Sequence, residues 1–284
     1  MLNASPNDLH ALADAAKAGD RRALEALVRA LQGSLYRVAL RFLGHPAHAQ
    51  DATQEILILI VTRLGTFRGE STLQTWAYRI ATRHLFRQRR TARQVTFESL
   101  VEEDLAKPPN QVDPLALASA DQRLLEEEVF VGCTQAMLQA LDPPLRMAFV
   151  LGAILELEAS DAAAALEISE PAFRKRLSRA REALDNFVSR HCGVANPANA
   201  CRCAYQINHN LQKGRLNPTQ LRFALPAARK NPDALRTFGD IQRVRTALEL
   251  YRSQPEFQAK EDFAQRLREL IESAPTLSSS GSLS

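Results

Sequence analysis

The sequence predicts an all-α protein: two helical domains joined by a flexible linker, followed by a helical C-terminal extension. Three observations carry this. Apolar residues recur at helical spacing along most of the 284 residues, and β-branched alternating runs with glycine turns are missing. Between Glu98 and Glu128 nine acidic residues face only Lys107 and Arg123, around "KPPNQVDP", the composition of a tether between folded units. Arginine clusters on both sides of that tether, and the sequence pI is about 9.0 although the net charge is only +4.

Residues 9–44 read as one or two amphipathic helices, with Leu24, Leu27, Val28, Leu31 and Leu35 on one face. "GHP" at 44–46 breaks that pattern, and a second helix over about 47–64 carries Ile56, Leu57, Ile60 and Val61 behind Asp51, Gln54 and Glu55. "GTFRGES" at 65–71 is a loop. Ser71, followed three residues later by Gln74, predicts a capping box at the head of a helix over about 72–91. Leu73, Trp76, Ala77 and Ile80 share its core face, so the only tryptophan anchors the helix. Arg79, Arg83, Arg87 and Arg90 form an outward stripe with almost no acid nearby. Such a surface suits phosphates, although a solvated basic face is the plain alternative.

After the tether, helices are expected over 122–141 and 145–157, then in two short pieces within 160–184. "DAAAALEISEPAFRKRLSRAREAL" scans as helix-turn-helix: an Ala-rich helix over 160–166, a turn at Glu167–Ile168, and Ser169 as N-cap of a longer helix. Phe173, Leu177, Ala180 and Leu184 face inward, leaving Arg174, Lys175, Arg176, Arg179 and Arg181 outside. A second helix basic near its N-terminus has the form that enters a major groove. A plain helical hairpin would look the same. Cys133 has apolar neighbours and is expected in the core. Farther on, Asn217-Pro218, Asn231-Pro232 and Pro255 are each expected to start a helix, and residues from about 276 to be disordered.

With two basic helical units, a "DATQE" helix before the first and an acidic tether between them, the chain resembles the bacterial RNA polymerase sigma factors, and is most similar to the extracytoplasmic-function type. The stretch "AQDATQEILILIVTRLGTFRGESTLQTWAYRIATRHLFRQRR" resembles sigma region 2, and "LDPPLRMAFVLGAILELEASDAAAALEISEPAFRKRLSRAREAL" resembles region 4. The implied organisation is region 2 over 1–95, linker 96–124, region 4 over 125–190 and the extension over 191–284. Asp51, Gln54, Glu55 and Arg63 would dock on core polymerase. Arg68, Gly69, Glu70, Ser71 and Thr72 would capture an unstacked base of the −10 promoter element. Arg79, Arg83, His84 and Arg87 would hold that element's backbone, and Ser169, Glu170, Arg174, Lys175 and Arg179 would read the −35 element. The tether would thread through a basic polymerase channel. The family usually has glycine where this chain has Glu167, and glycine is common where it has Glu156. Its first helix-turn-helix helix is also unusually bare of long side chains.

Partners implied by the resemblance are core RNA polymerase, promoter DNA and an anti-sigma factor. The competing class is a stand-alone helix-turn-helix regulator that senses a metal or redox state. No catalytic constellation is present: neither a Ser-His-Asp set, nor a phosphate-binding glycine loop, nor HExxH. "MLNASPNDLH" does not read as a signal peptide, no run of about 18 apolar residues suggests a membrane span, and a cytoplasmic protein is expected. In the extension, "HCGVANPANACRC" brings His191, Cys192, Cys201 and Cys203 together, with His209 as a rival ligand. Zinc bound by these residues, a thiol redox switch and unligated structural cysteines are three readings of that cluster. The extension is similar to one found on a subset of these sigma factors, which implies a regulatory role; a structural cap on region 4 is the alternative.

Overall fold

Asp20 sets the first boundary. Its carboxylate accepts from the backbone N–H groups of Arg22 and Ala23, splitting residues 9–44 into α1 (Pro6–Lys17) and α2 (Arg21–Leu43). Pro46 starts α3 (Pro46–Arg63), where a missing N–H costs nothing. A short 3-10 turn then leads to α4 (Leu73–Gln88). The cap of α4 is Thr72, not Ser71: Thr72 Oγ1 accepts from the Thr75 N–H at 3.1 Å, whereas the Ser71 hydroxyl bonds the Thr72 carbonyl. Helices α1 to α4 form the first module.

The computed structural model describes residues 6–88, 95–102, 119–223, 246–254, 257–258 and 262–273. Arg90, most of the tether, Asn231-Pro232, Pro255 and the stretch expected to be disordered lie outside them. The described edges of the tether are helical: α5 (Phe97–Leu100) and the first turns of α6 (Ser119–Ala140), which starts three residues earlier than expected.

In the second module Pro143 opens α7 (Pro143–Phe149), which runs on as a π-helical turn through Ile154. Gly152 lies in that turn, and a Cβ there would sit 2.6 Å from Phe173 Cζ, so only glycine lets the next helices pack this closely. The helix-turn-helix follows as α8 (Ala159–Leu166) and α9 (Glu170–His191), and the Ser169 hydroxyl accepts from the Ala172 N–H as expected. Phe173, Ala180 and Leu184 are buried and Leu177 half-buried. The extension contributes α10 (Gln206–Gln212), α11 (Ala247–Arg252) and α12 (Phe263–Ser273). Asn217-Pro218 forms a turn instead of a helix, because the Asn217 carboxamide accepts from both the N–H and the hydroxyl of Thr219.

The two modules share one continuous hydrophobic core, which runs from Leu9 through Leu40 and Phe149 to Ala264. Buried polar side chains tie the parts together. Arg146 of α7 donates to the Phe42 carbonyl at the end of α2 at 2.8 Å and to the Leu141 carbonyl at 3.0 Å. Arg41 of α2 is buried under the Phe257 ring, 4.6 Å from its centroid, and burial lowers its pKa to about 10. Tyr251 donates to the Thr134 carbonyl, Asp185 accepts from the Ala247 N–H, and Arg29 pairs with Asp262 at 2.6 Å. The extension therefore straps both modules.

Glu128 and Glu127 differ in fate on α6. Glu128 accepts from the N–H groups of Arg222 and Phe223 at 2.7 and 2.8 Å. Glu127 Oε2 is buried without a hydrogen-bond partner among the described residues, and burial, then the Glu128 charge, pushes its carboxyl above the usual range. A raised carboxyl favours the folded state at low pH and loses that contribution as pH climbs from the ordinary glutamate value through the raised one. Glu127→Gln is therefore expected to stabilise the neutral-pH protein and to flatten the pH dependence in that window, as read by urea denaturation at pH 5 and pH 8. An unchanged pH profile would contradict it.

Candidate functional site

On α3, Asp51, Glu55 and Arg63 are exposed and Gln54 is half-buried. Ile58 is 37% exposed among the protein's large apolar side chains and falls on the same face. Positions 51, 54, 55, 58 and 62 follow helical i, i+3, i+4, i+7 spacing, so the structure brings an acidic and apolar strip together. Ile58 was missed in the sequence because it reads as one more member of the core run around Ile56 and Leu57. His84, expected on the DNA side of α4, instead points at this helix: its Nε2 lies 3.1 Å from Glu55 Oε2. Burial holds its pKa below the ordinary histidine value, which favours the neutral ring. Gln88 Nε2 donates to the same Glu55 oxygen at 3.0 Å.

The loop before α4 opens around Gly69, whose φ is +77°. Thr66, Phe67, Arg68, Glu70, Ser71, Trp76 and Arg79 line an open pocket of about 410 Å³. Trp76 is half-buried with its ring 5.5 Å from Phe67, so it walls this pocket as well as anchoring α4. Aromatic walls, a guanidinium and loop backbone suit a splayed nucleobase.

The arginine stripe does not face solvent throughout. Helix α8 lies along it. Thr75 Oγ1 donates to Asp161 at 2.9 Å, Arg79 Nε to the Ala164 carbonyl at 3.2 Å, and Thr82 Oγ1 to the Ala165 carbonyl at 2.8 Å. Arg83 grips both carboxylate oxygens of Glu167 with Nε and Nη2, Nε to Oε2 at 2.6 Å. The stripe thus meets the carbonyl end of α8, where cations are favoured. Ala162, Ala163 and Ala165 are buried; the bare composition of α8 is what lets it approach. Arg87 remains exposed.

The two glutamates at glycine-favouring positions are both left-handed, with φ of +55° at Glu156 and +56° at Glu167. Each reaches out of the second module. Glu167 pairs with Arg83 of the first, and Glu156 with Arg252 of the extension. Arg83 holds the Glu167 carboxyl below the usual carboxylate range, chiefly by hydrogen bonding. On α9, Arg174 pairs with Glu170 at 2.7 Å, while Lys175 and Arg179 are exposed.

Cys192 and Cys201 are joined by an isolated parallel backbone bridge. A Cβ on Gly193 would lie 2.0 Å from the Cys201 carbonyl oxygen, which makes glycine obligatory in that loop. Burial, then the neighbouring Cys192 and Cys201, raises the Cys203 thiol well above its ordinary value. Among the described residues no three His, Cys, Asp or Glu side chains are placed to hold a metal ion. His191 lies against the Phe187 ring at 4.9 Å, Cys203 packs on the Leu125, Val129, Ile207 and Leu216 cluster, and His209 lies on α10. Cys133 is exposed rather than in the core, because its helix face borders a cavity.

A helical module with a nucleobase-sized pocket and a cationic helix, packed on a helix-turn-helix with a basic second helix, defines a helical nucleic-acid-binding protein. Comparison with known proteins narrows that class. The description Sigma-70 region 2 matches residues 27–95, and Sigma-70, region 4 matches residues 132–184. The RNA polymerase sigma-H factor of Pseudomonas aeruginosa is 30% identical over 181 residues, which is 62% of this chain and 92% of that protein. The ECF RNA polymerase sigma-E factor of Escherichia coli K12 is 28% identical over 189 residues, covering 62% of this chain and 92% of the relative. A solved Bartonella quintana structure, the sigma factor RpoE in complex with the anti-sigma factor NepR, aligns over 56% of this chain and 92% of its own at 18% identity, with a TM-score of 0.38. The chain belongs to the extracytoplasmic-function RNA polymerase sigma factors. Residues beyond 184 lie outside both matched regions.

Proposed function

We propose that this sigma factor meets core RNA polymerase first and promoter DNA second, the order being built into its packing. One observation carries the reading: the acidic strip of α3 is open, whereas Arg79 and Arg83 are engaged by α8 and Glu167. The strip of Asp51, Gln54, Glu55 and Arg63, with Ile58 at its centre, docks on the polymerase. Departure of α8 then frees Arg79 and Arg83 for the backbone of the −10 element, beside Arg87. The pocket lined by Arg68, Glu70, Ser71 and Trp76, on the loop that also carries Gly69 and Thr72, takes an unstacked base, recovering the few kcal/mol that unstacking costs. Ser169, Glu170, Arg174, Lys175 and Arg179 face the −35 element. Nucleotide transfer belongs to the polymerase; this chain supplies promoter choice and helps melting, in the compartment where the polymerase works. No described helix is long and apolar enough to cross a membrane. Membership of the family sets aside the stand-alone regulator.

Run-off transcription with purified core enzyme tests the function, since initiation from a matched promoter should require this chain. Within that assay, Arg174→Ala and Lys175→Ala are each expected to weaken −35-dependent initiation by roughly 1–3 kcal/mol. Full activity combined with retained −35 dependence in the double variant would reject the assignment.

A further inference from the structure

Cys192, Cys201 and Cys203 meet where the second module passes into the extension. Cys192 follows the last turn of α9, and an isolated parallel bridge pairs its backbone with that of Cys201. Positions paired in this way lie about 4.8 Å apart, inside the roughly 4.4–6.8 Å that the Cα atoms of a disulfide span. Paired positions also turn their side chains to one side of the bridge, and both residues line the same cavity. Both are half-buried thiols.

The loop between them is braced to keep that pairing. Asn199 Nδ2 donates to the Ser189 carbonyl at 3.0 Å and to the Cys192 carbonyl at 3.2 Å. Asn196 Nδ2 donates to the same Ser189 carbonyl at 3.2 Å. Arg202 closes the other side, with Nη1 on the Cys201 carbonyl and Nη2 on the Pro197 carbonyl, both at 2.8 Å. Gly193 lets the Cys201 carbonyl come where a Cβ would otherwise stand. Cys203 is placed differently, packed on the apolar cluster of Leu125, Val129, Ile207 and Leu216.

We propose that Cys192 and Cys201 are a peroxide-sensitive pair that closes reversibly into a disulfide, with Cys203 as a bystander. One thiolate attacks an oxygen of hydrogen peroxide. The O–O bond breaks, the sulfur becomes a sulfenic acid, and the other oxygen leaves as water with the first thiol proton. The second thiolate then attacks that sulfur. The S–S bond forms as the S–O bond breaks, and the hydroxide leaves as water with the second thiol proton. Two thiols are oxidised, one peroxide is reduced, and a dithiol reverses the bond by exchange. Closure needs little rearrangement because the two backbones are already paired. It fixes the junction between α9 and α10, removing conformational freedom chiefly from the unfolded chain. None of this depends on polymerase docking through α3, which has its own test.

The test uses the full chain carrying Cys133→Ser, so that the exposed thiol of α6 joins no chains, and hydrogen peroxide as the probe. Intact mass should fall by two hydrogens, unreduced peptide mapping should place the link between Cys192 and Cys201, and dithiothreitol should reverse it. Cys203→Ser should close as fast as its parent, while Cys192→Ser and Cys201→Ser should lose closure. Gly193→Ala and, independently, Asn199→Ala leave every thiol in place and should slow closure roughly tenfold by loosening the pairing. The oxidised chain should keep its helical circular dichroism and melt several degrees higher. Thiols that stay reduced, a link through Cys203 or between chains, closure unslowed in both brace variants, or a lower melting point on closure would overturn the proposal.

Discussion

Glu167→Gly is expected to release α8 from α4 without weakening the second module. A left-handed residue other than glycine costs about 1–2 kcal/mol, and an exposed ion pair returns at most about 1 kcal/mol. Arg83 and Glu167 are 50% and 44% exposed at their side chains. Glycine removes the backbone strain and the clasp together, so overall stability should hold or rise slightly. Docking, by contrast, should loosen by about 1 kcal/mol, a roughly fivefold faster opening. Amide exchange across 159–166 reads this directly. Glu167→Gln, which keeps the strain and discards the charge, should loosen docking and also lower stability. The lowered Glu167 pKa fixes the pH sense. Its contribution to docking is present above the ordinary carboxylate value and is lost as pH falls through the depressed one. Exchange in both variants as slow as in the wild-type chain would remove the clasp from the account.

The other large effect belongs to α3. Asp51→Ala combined with Glu55→Ala should lower affinity for core polymerase by about a hundredfold, close to 3 kcal/mol, the scale of losing desolvated charge pairs at an interface. Glu55 also receives Gln88 and faces His84, so circular dichroism must show α4 intact for the loss to count. Ile58→Asp, which disturbs no core residue, should give a comparable loss. Association unchanged in both variants, measured by co-purification, would detach polymerase docking from this face.

Much of this was legible in the sequence where a local rule decides the outcome. The helices of the first module follow their apolar spacing, Ser169 caps α9 as its hydroxyl requires, and the resemblance to the family marked Glu156 and Glu167 as standing where glycine is usual. Both are left-handed in the structure. Partners of such residues were not legible, because Arg83 and Arg252 lie in other parts of the chain. The Ala-rich α8 read as a helix with little reach toward DNA, whereas its small side chains make it a docking surface for α4. Thr72 outcompeted Ser71 as cap through one turn of loop geometry. The cysteine spacing suggested ligands for a metal, while the packing of His191 on Phe187 and of Cys203 on Leu125 is tertiary and spacing does not show it.

Promoter affinity, measured by fluorescence anisotropy on one labelled duplex at fixed salt, tests the order of assembly most directly. The free wild-type chain should bind weakly, Glu167→Gly several-fold better, and the complex of either with core polymerase far more tightly than both. Equal and tight binding by the free wild-type chain, the free variant and the polymerase complex would contradict it.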